Sequence, residues 1–240
     1  MSKLYAISDI HGHYQEFLEA LDKIDLSVPD NKLLLLGDYI DNGSQSLEVI
    51  EKIISLEQEY PNQIITLLGN HDELLIDWLF KFEPCLIDEQ SLLSFFGKLD
   101  DSVLINGDLK KVFIEKYPLI TNWLKRKNNE KRYYETDNQI FVHAGIWETK
   151  EDQEYWKSYT CENLYTHKYP AETGRFYKDI IAGHIYAHEI ANNKEYLGRI
   201  YHDNESHYYI DGDVQKSGYL PILVYDTEKK LYTFIEKENY

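Results

Sequence analysis

Apolar and polar positions follow two alternating rhythms over roughly the first 70 residues. Lys3 to Ser8 is a short strand-like run that stops at Asp9. From Tyr14 to Ile24, Phe17, Leu18, Leu21 and Ile24 recur at helical spacing. Leu33 to Leu36 is a continuous apolar run, the pattern of a parallel strand buried on both faces. Ser46 is placed to cap a helix carrying Leu47, Ile50, Ile53, Ile54 and Leu56. After Pro61, Ile64 to Leu68 makes a third buried strand. Strand, helix, strand, helix, strand is the order of an α/β fold with parallel strands.

The middle of the chain changes character. Residues 72–130 carry helical patterns, with Leu74, Leu75, Trp78, Leu79 and Phe82, then Leu92, Leu93 and Phe96. Lys125 to Lys131 reads as an exposed basic turn. Tyr133–Glu135 and Gln139–Val142 suit a strand pair around Asp137-Asn138, and Ile180–Ala182 a further short strand. From Arg199 onward the chain reads as short strands, ending in a hairpin of Leu220–Tyr225 and Leu231–Ile235 around Thr227, Glu228 and Lys229. With no internal repeat and no linker, the expectation is one α/β domain over residues 1–240 with a helical insertion at about 72–130.

Composition narrows the function classes. The 240 residues include 25 Lys+Arg and 42 Asp+Glu, a net charge of −17. That excess argues against gripping a nucleic-acid backbone, which needs clustered cations, and against an anionic membrane surface. It is compatible with a phosphate substrate if bound metal ions supply positive charge. At 43% hydrophobic and 28% charged, the chain is ordinary for a globular protein. Cys85 and Cys161 are too few and too far apart for a disulfide framework, so reduced thiols are expected. The opening, Met1 to Asp9, meets charge too soon for a signal peptide, and no apolar run approaches the ~20 residues of a membrane span. A cytoplasmic location is the resulting expectation.

The chemistry gathers where the apolar runs end. Five of them stop in polar clusters: Asp9-Ile10-His11-Gly12, Gly37-Asp38-Tyr39-Ile40-Asp41, Gly69-Asn70-His71-Asp72, His143-Ala144-Gly145 and Gly183-His184. In parallel α/β sheets, ligand groups sit at the carboxyl ends of strands. Oxygen donors mixed with imidazoles suit two divalent first-row ions better than a sulfur site or a calcium cage. Each cluster alone is commonplace, as a helix cap or a turn. Their recurrence in a chain with only 9 histidines is not.

The ordered set Asp9-x-His11-Gly12, Gly37-Asp38-x-x-Asp41-x-Gly43, Gly69-Asn70-His71-Asp72, His143-Ala144-Gly145, Gly183-His184 resembles the calcineurin-like metallophosphoesterases, in particular their bacterial phosphoprotein-phosphatase-like branch. The resemblance implies a β-sandwich flanked by helices and a dinuclear metal-dependent phosphoesterase that hydrolyses phosphomonoesters, phosphoproteins among them, by metal-hydroxide attack. Asp9 and His11 would hold one metal, Asp38 would bridge, and Asn70, His143 and His184 would complete the second. Manganese is the first expectation for the ions, iron or zinc the alternative. His71 would be the general acid and Asp41 its partner.

The motif departs from the family at Asn42, where an arginine that clamps phosphate is usual. Arg175 is the candidate replacement cation, ahead of Lys157. Tyr186 stands where nuclease-like branches carry a further histidine, leaving His188 offset and ordinary. His13 is a candidate cleft residue, Tyr39 and Tyr186 are candidates to stack on a substrate ring, and His167, His202 and His207 read as surface or strand residues. A nucleotide or dinucleoside polyphosphate hydrolase is the second enzymatic reading. A non-catalytic scaffold should show eroded ligands, and here all six are present, with His71 and Asp41.

Overall fold

The computed structural model describes residues 2–81, 89–96, 109–149, 151 and 153–237. Phe82 and Cys85 lie outside them, as do parts of the expected helical insertion.

Two five-stranded sheets are stacked. The first has the order β10-β9-β1-β2-β3, from β1 (Lys3–Ile7), β2 (Lys32–Leu35), β3 (Ile64–Thr66), β9 (Ile222–Asp226) and β10 (Leu231–Ile235). The second has the order β4-β5-β6-β8-β7, from β4 (Tyr133–Glu135), β5 (Gln139–Val142), β6 (Asp179–Ala182), β7 (Tyr201–His202) and β8 (His207–Tyr209). β1, β2 and β3 run parallel, and so do β5, β6 and β8. The outer pairings are antiparallel, including the C-terminal hairpin of β9 and β10.

The period of two along a strand explains the unbroken apolar runs. Leu4, Ala6, Leu34 and Leu36 point inward, against Phe141, Ile181 and Tyr208 of the facing sheet. Their neighbours Tyr5, Ile7, Leu33 and Leu35 point outward, under helices. Those helices are α1 (Tyr14–Leu21), α2 (Ser46–Glu59), α3 (Asn70–Phe80), α4 (Glu89–Phe96), α5 (Leu109–Lys116) and α6 (Pro118–Asn128). On the second sheet, Ile140, Val142, Ile180 and Tyr209 pack beneath Trp156 and Tyr165, carried by α7 (Trp156–Tyr159) and α8 (Glu162–His167). Two further short helices, α9 (Ala187–Ile190) and α10 (Val214–Ser217), flank the last strands. The central strands are therefore covered on both faces, whereas the outer strands β4, β7 and β10 are only partly buried.

Three sequence expectations change. Gln45, not Ser46, occupies the cap of α2, and the Ser46 hydroxyl instead accepts a hydrogen bond from the Asp41 amide at 3.2 Å. Lys125 to Asn128 continue α6 rather than forming a turn. The reason is Lys127, which is buried and donates to the Thr66 carbonyl at 3.1 Å while pairing with Glu57 at 3.1 Å. Tyr39 is wholly buried, its hydroxyl donating to the Leu35 and Leu67 carbonyls, so it has no face for a substrate ring. Among the described residues no helix is long and apolar enough to cross a membrane.

One buried cluster of three ionisable side chains makes stability depend on pH. His207 is 1% exposed, with Nδ1 2.9 Å from Asp203 and Nε2 2.8 Å from Glu148. Burial alone would lower its pKa, but the hydrogen bonds and charges of Glu148 and Asp203 outweigh burial and raise it. The folded value lies above the unfolded one. The stabilisation is therefore full below the unfolded value of 6.5 and is lost as pH rises through the folded value. The melting-temperature gap between wild type and His207→Gln should narrow as pH is raised from about 6 to about 9. A constant gap would contradict the ionic account.

Candidate metal centre and active site

The parallel strands of both sheets deliver their carboxyl ends to one place. Asp9 follows β1, Asp38 follows β2, Asn70 and His71 open α3 after β3, His143 follows β5 and His184 follows β6. The sheets are tied together there. The His143 imidazole donates from Nδ1 to the Leu36 carbonyl at 3.0 Å, and the His184 amide donates to both oxygens of Asp9, at 3.1 and 3.2 Å. Gly69 and Gly183 are required by close approach. A Cβ at Gly69 would fall 2.1 Å from Asp38 Oδ1, and one at Gly183 would fall 2.0 Å from Asp9 Oδ2.

Backbone strain is concentrated at the same place. Asp9, His11, Asp38, Asp41, Asn42 and His184 all have φ between 48° and 70°. Non-glycine residues enter this left-handed region at a cost, and they do so most often at functional sites. Asn42 also gains a local explanation: asparagine tolerates this conformation better than a long side chain does.

The donor atoms converge around Asp38. Its Oδ2 lies 3.6 Å from His11 Nε2 and 3.4 Å from His143 Nε2, while Oδ1 accepts from the His71 amide at 3.0 Å. Asp38 is common to two clusters that could each hold an ion, one with His11 and His71 and one with His143 and His184. Asn70 Oδ1 lies 3.0 Å from His143 Nε2 and 2.9 Å from His184 Nδ1. Asp9 stands further out, with Oδ1 4.0 Å from His11 Nε2. Separations of about 3.0–3.4 Å are what two ligands on one ion with bonds of about 2.1 Å would show at right-angled to tetrahedral geometry. The tautomers fit as well. His11 Nδ1 is 2.8 Å from the Ile40 carbonyl and His143 Nδ1 bonds Leu36, so both rings use Nδ1–H on backbone and leave Nε2 as the atom that could meet an ion.

Electrostatics favour cations here. Asp9, Asp38, Asp72 and Asp211 are all at most 2% exposed. Burial raises the pKa of Asp9, and burial and the charge of Asp9 raise that of Asp211 strongly. Burial also pushes Asp38 upward, but His143, His11 and His71 outweigh it and leave Asp38 ionised. His143 is the mirror case: burial would lower it, yet Asp38 and Asp9 lift it to about 10. Burial and the charge of His143 lower His184 to about 4. Without metal, protons must offset the buried carboxylates; a divalent ion would replace them.

Beside the cluster, His71 Nδ1 lies 2.6 Å from Asp41 Oδ2. Burial would lower the His71 pKa, but the Asp41 hydrogen bond and the charges of Asp38, Asp41 and Asp72 raise it to about 9. The second oxygen of Asp41, Oδ1, is buried without a hydrogen-bond partner among the described residues.

The remaining sequence candidates separate. His13 is partly buried near the cluster, with Nε2 unpartnered among the described residues. Arg175 lines a cavity of about 810 Å³ with Glu148, Glu172 and His207, and no residue of the metal cluster lines that cavity. Lys157 pairs with Glu135 on β4. Tyr186 stacks on His188, whose Nε2 meets Asp213 at 3.1 Å. Sequence reasoning gave Asp72 no role. Its carboxylate accepts from the amides of Gly69 and Asp38 at 2.8 Å and of Tyr39 at 3.0 Å, locking two motif loops together. An acid in the first turn of α3 was the available signal. His167 is exposed, as the sequence reading has it, and lines a cavity of about 530 Å³ together with Asn70.

Comparison with known proteins bears on the fold and the family. A family model for calcineurin-like phosphoesterases matches residues 2–214. The catalytic subunit of serine/threonine-protein phosphatase 6 from Caenorhabditis elegans is 42% identical over 74 residues, 31% of this chain and 22% of that protein. A catalytic subunit of protein phosphatase 2A from Dictyostelium discoideum is 37% identical over 81 residues, 34% of this chain and 26% of that protein. The aligned stretches thus span about a quarter of these relatives. Among solved structures, a cold-active protein tyrosine phosphatase superposes with a TM-score of 0.61 at 16% identity, covering 97% of this chain and 78% of that one. A protein provisionally assigned as a diadenosine tetraphosphatase gives a TM-score of 0.58 at 15% identity, covering 99% and 95%. These likenesses speak for the fold, and the sequence match for the family: the chain belongs to the calcineurin-like phosphoesterases.

Proposed function

We propose that this protein is a dinuclear-metal phosphatase acting on phosphomonoesters, phosphoproteins among them. The observation that carries the reading is the Asp38 carboxylate, shared by one donor cluster with His11 and His71 and another with His143 and His184, and Asp41 is bonded to His71. Asp9, His11 and Asp38 would hold one ion, and Asp38, Asn70, His143 and His184 the other. Manganese suits this oxygen and imidazole donor set, with iron or zinc as alternatives. The ions, when bound, would neutralise phosphate charge and activate water for attack.

The chain's own residues supply the rest. Asp72 holds the Asp38 and Asn70 loops in register through three backbone amides. Asp41 fixes the His71 ring and keeps it protonated, and His71 delivers that proton to the departing alkoxide oxygen. The nucleotide reading is weaker. Among the described residues, no Phe, Tyr or Trp lines the cavity beside Asn70 to stack on a base, and its cations Lys81 and Arg132 already pair with Asp77 and Glu73.

A panel decides between the two. Manganese-loaded protein should hydrolyse a nitrophenyl monoester and a phosphopeptide faster than the nitrophenyl diester or a dinucleoside tetraphosphate, and chelation should abolish turnover. A preference for the dinucleotide would overturn the monoester reading.

A further inference from the structure

The cavity of about 810 Å³ lies where β6 and β8 begin, lined there by Phe176, Tyr177 and His207. The metal cluster lies beyond the other end of β6, at His184. His184 is seven residues beyond Tyr177, at most about 23 Å at roughly 3.3 Å per extended residue. The acids in the cavity wall are already matched. Glu148 meets Lys168 at 2.7 Å and His207 at 2.8 Å, and Glu172 meets Lys168 at 2.5 Å. Arg175 is exposed in the same wall, and its guanidinium has no hydrogen bond or ion pair among the described residues.

The surroundings of Arg175 favour an anion. The Tyr177 hydroxyl accepts from Trp156 Nε1 at 3.0 Å and keeps its own hydrogen to donate. Lys157 and Lys178 both pair with Glu135. Lys178 Nζ stands 5.8 Å from the centre of the Tyr177 ring, and Lys157 Nζ 5.4 Å from that of Trp156. Three cations around these two rings thus share a single acidic partner. The net charge of −17 elsewhere on the chain does not cancel this, because salt screens exposed charges over about 8 Å.

The same stretch carries the exposed aromatic side chains. Trp147, Tyr155, Tyr159, Tyr169 and Tyr177 are each at least 43% exposed, and among the described residues Phe234 is the only other exposed large aromatic. Tyr177 lines the cavity, and Trp147 and Tyr155 are within two residues of the lining residues Glu148 and Gln153. Exposed Trp and Tyr beside an uncommitted Arg is the composition of the anchors that hold protein interfaces. Rings presented outward suit a chain lying across them better than a small molecule enclosed among them.

We propose that this face docks an acidic segment of a protein substrate, with a Glu or Asp carboxylate of that segment received by the Arg175 guanidinium and its neighbours lying across Tyr177, Trp147 and Tyr155. The proposal rests on the phosphoprotein side of the phosphatase reading and adds a substrate class to it: phosphoproteins with acidic residues at a distance from the phosphorylated one. A segment of about ten residues reaches from the cavity to the metal cluster with slack.

Two phosphoserine peptides test this. They are alike except that, about ten residues from the phosphoserine, one carries a pair of glutamates and the other a pair of glutamines. On manganese-loaded wild type, kcat/KM should be about tenfold higher for the glutamate peptide, the worth of one charged hydrogen bond, with the gain in KM. In Arg175→Ala that preference should vanish. In Arg175→Lys, which keeps the charge and loses the planar fork, it should be intermediate. Calorimetric titration with the unphosphorylated glutamate peptide should show binding that Arg175→Ala weakens by about tenfold and that Trp147→Ala also weakens. Equal turnover of the two peptides by wild type, the same preference in Arg175→Ala, or no calorimetric binding to wild type would overturn the assignment. Arg175-dependent binding of the unphosphorylated peptide, with no hydrolysis of either phosphopeptide or of a nitrophenyl monoester, would count instead against the phosphatase reading and leave the docking face standing.

Discussion

Asp38→Asn is expected to lower kcat/KM by roughly 10³-fold or more, the scale on which losing an electrostatic clamp on developing charge is felt. The substitution keeps the shape of the side chain and removes its charge. In the wild type that charge faces His11 Nε2 and His143 Nε2 at once, at 3.6 and 3.4 Å. An amide there cannot bridge two cations, so ion binding and activity should fall together. The fold should survive, because the amide keeps the shape of the side chain and its oxygen can still accept from the His71 amide. Comparable melting curves for the metal-free proteins check that point. Full activity in Asp38→Asn would show that the residue does not bridge.

His71→Asn should separate proton transfer from ion binding. Both ions should remain while turnover of a poor leaving group falls by roughly 10²–10⁴, the usual contribution of a general acid. The loss should shrink for nitrophenol, which departs readily as an anion. The pH profile gives a second signature. Asp41 and its acidic neighbours raise the His71 pKa to about 9 before any ion binds, so the acid is present through neutral pH. The proton is lost on the alkaline side, and nearby ions move that limit downward. An alkaline limb of kcat/KM present in wild type should therefore vanish in His71→Asn. An equal loss for good and poor leaving groups, with the limb intact, would exclude His71 as the acid.

Much of this arrangement is readable in the amino-acid sequence. Leu33 to Leu36 marks a strand buried on both faces because both faces are in fact covered, by the facing sheet and by helices. The polar clusters at the strand ends are legible because the motifs are local in sequence. What escapes is long-range. Lys127 looks like a surface lysine until Glu57 is folded against it. Tyr39 stands beside two motif aspartates, yet the fold turns its ring into the core. Arg175 is the plausible phosphate cation by its place between two motifs, and the fold carries it to another cavity. Thr166 gives no local signal of its bond to Glu73, 93 residues away, nor of the arginine behind that carboxylate.

Ion stoichiometry tests the central claim most directly. Elemental analysis of the manganese-loaded wild type, after removal of free ion, should give close to two ions per chain, and fewer in Asp38→Asn. A wild type that reaches full activity with a single ion per chain would contradict the bridged pair.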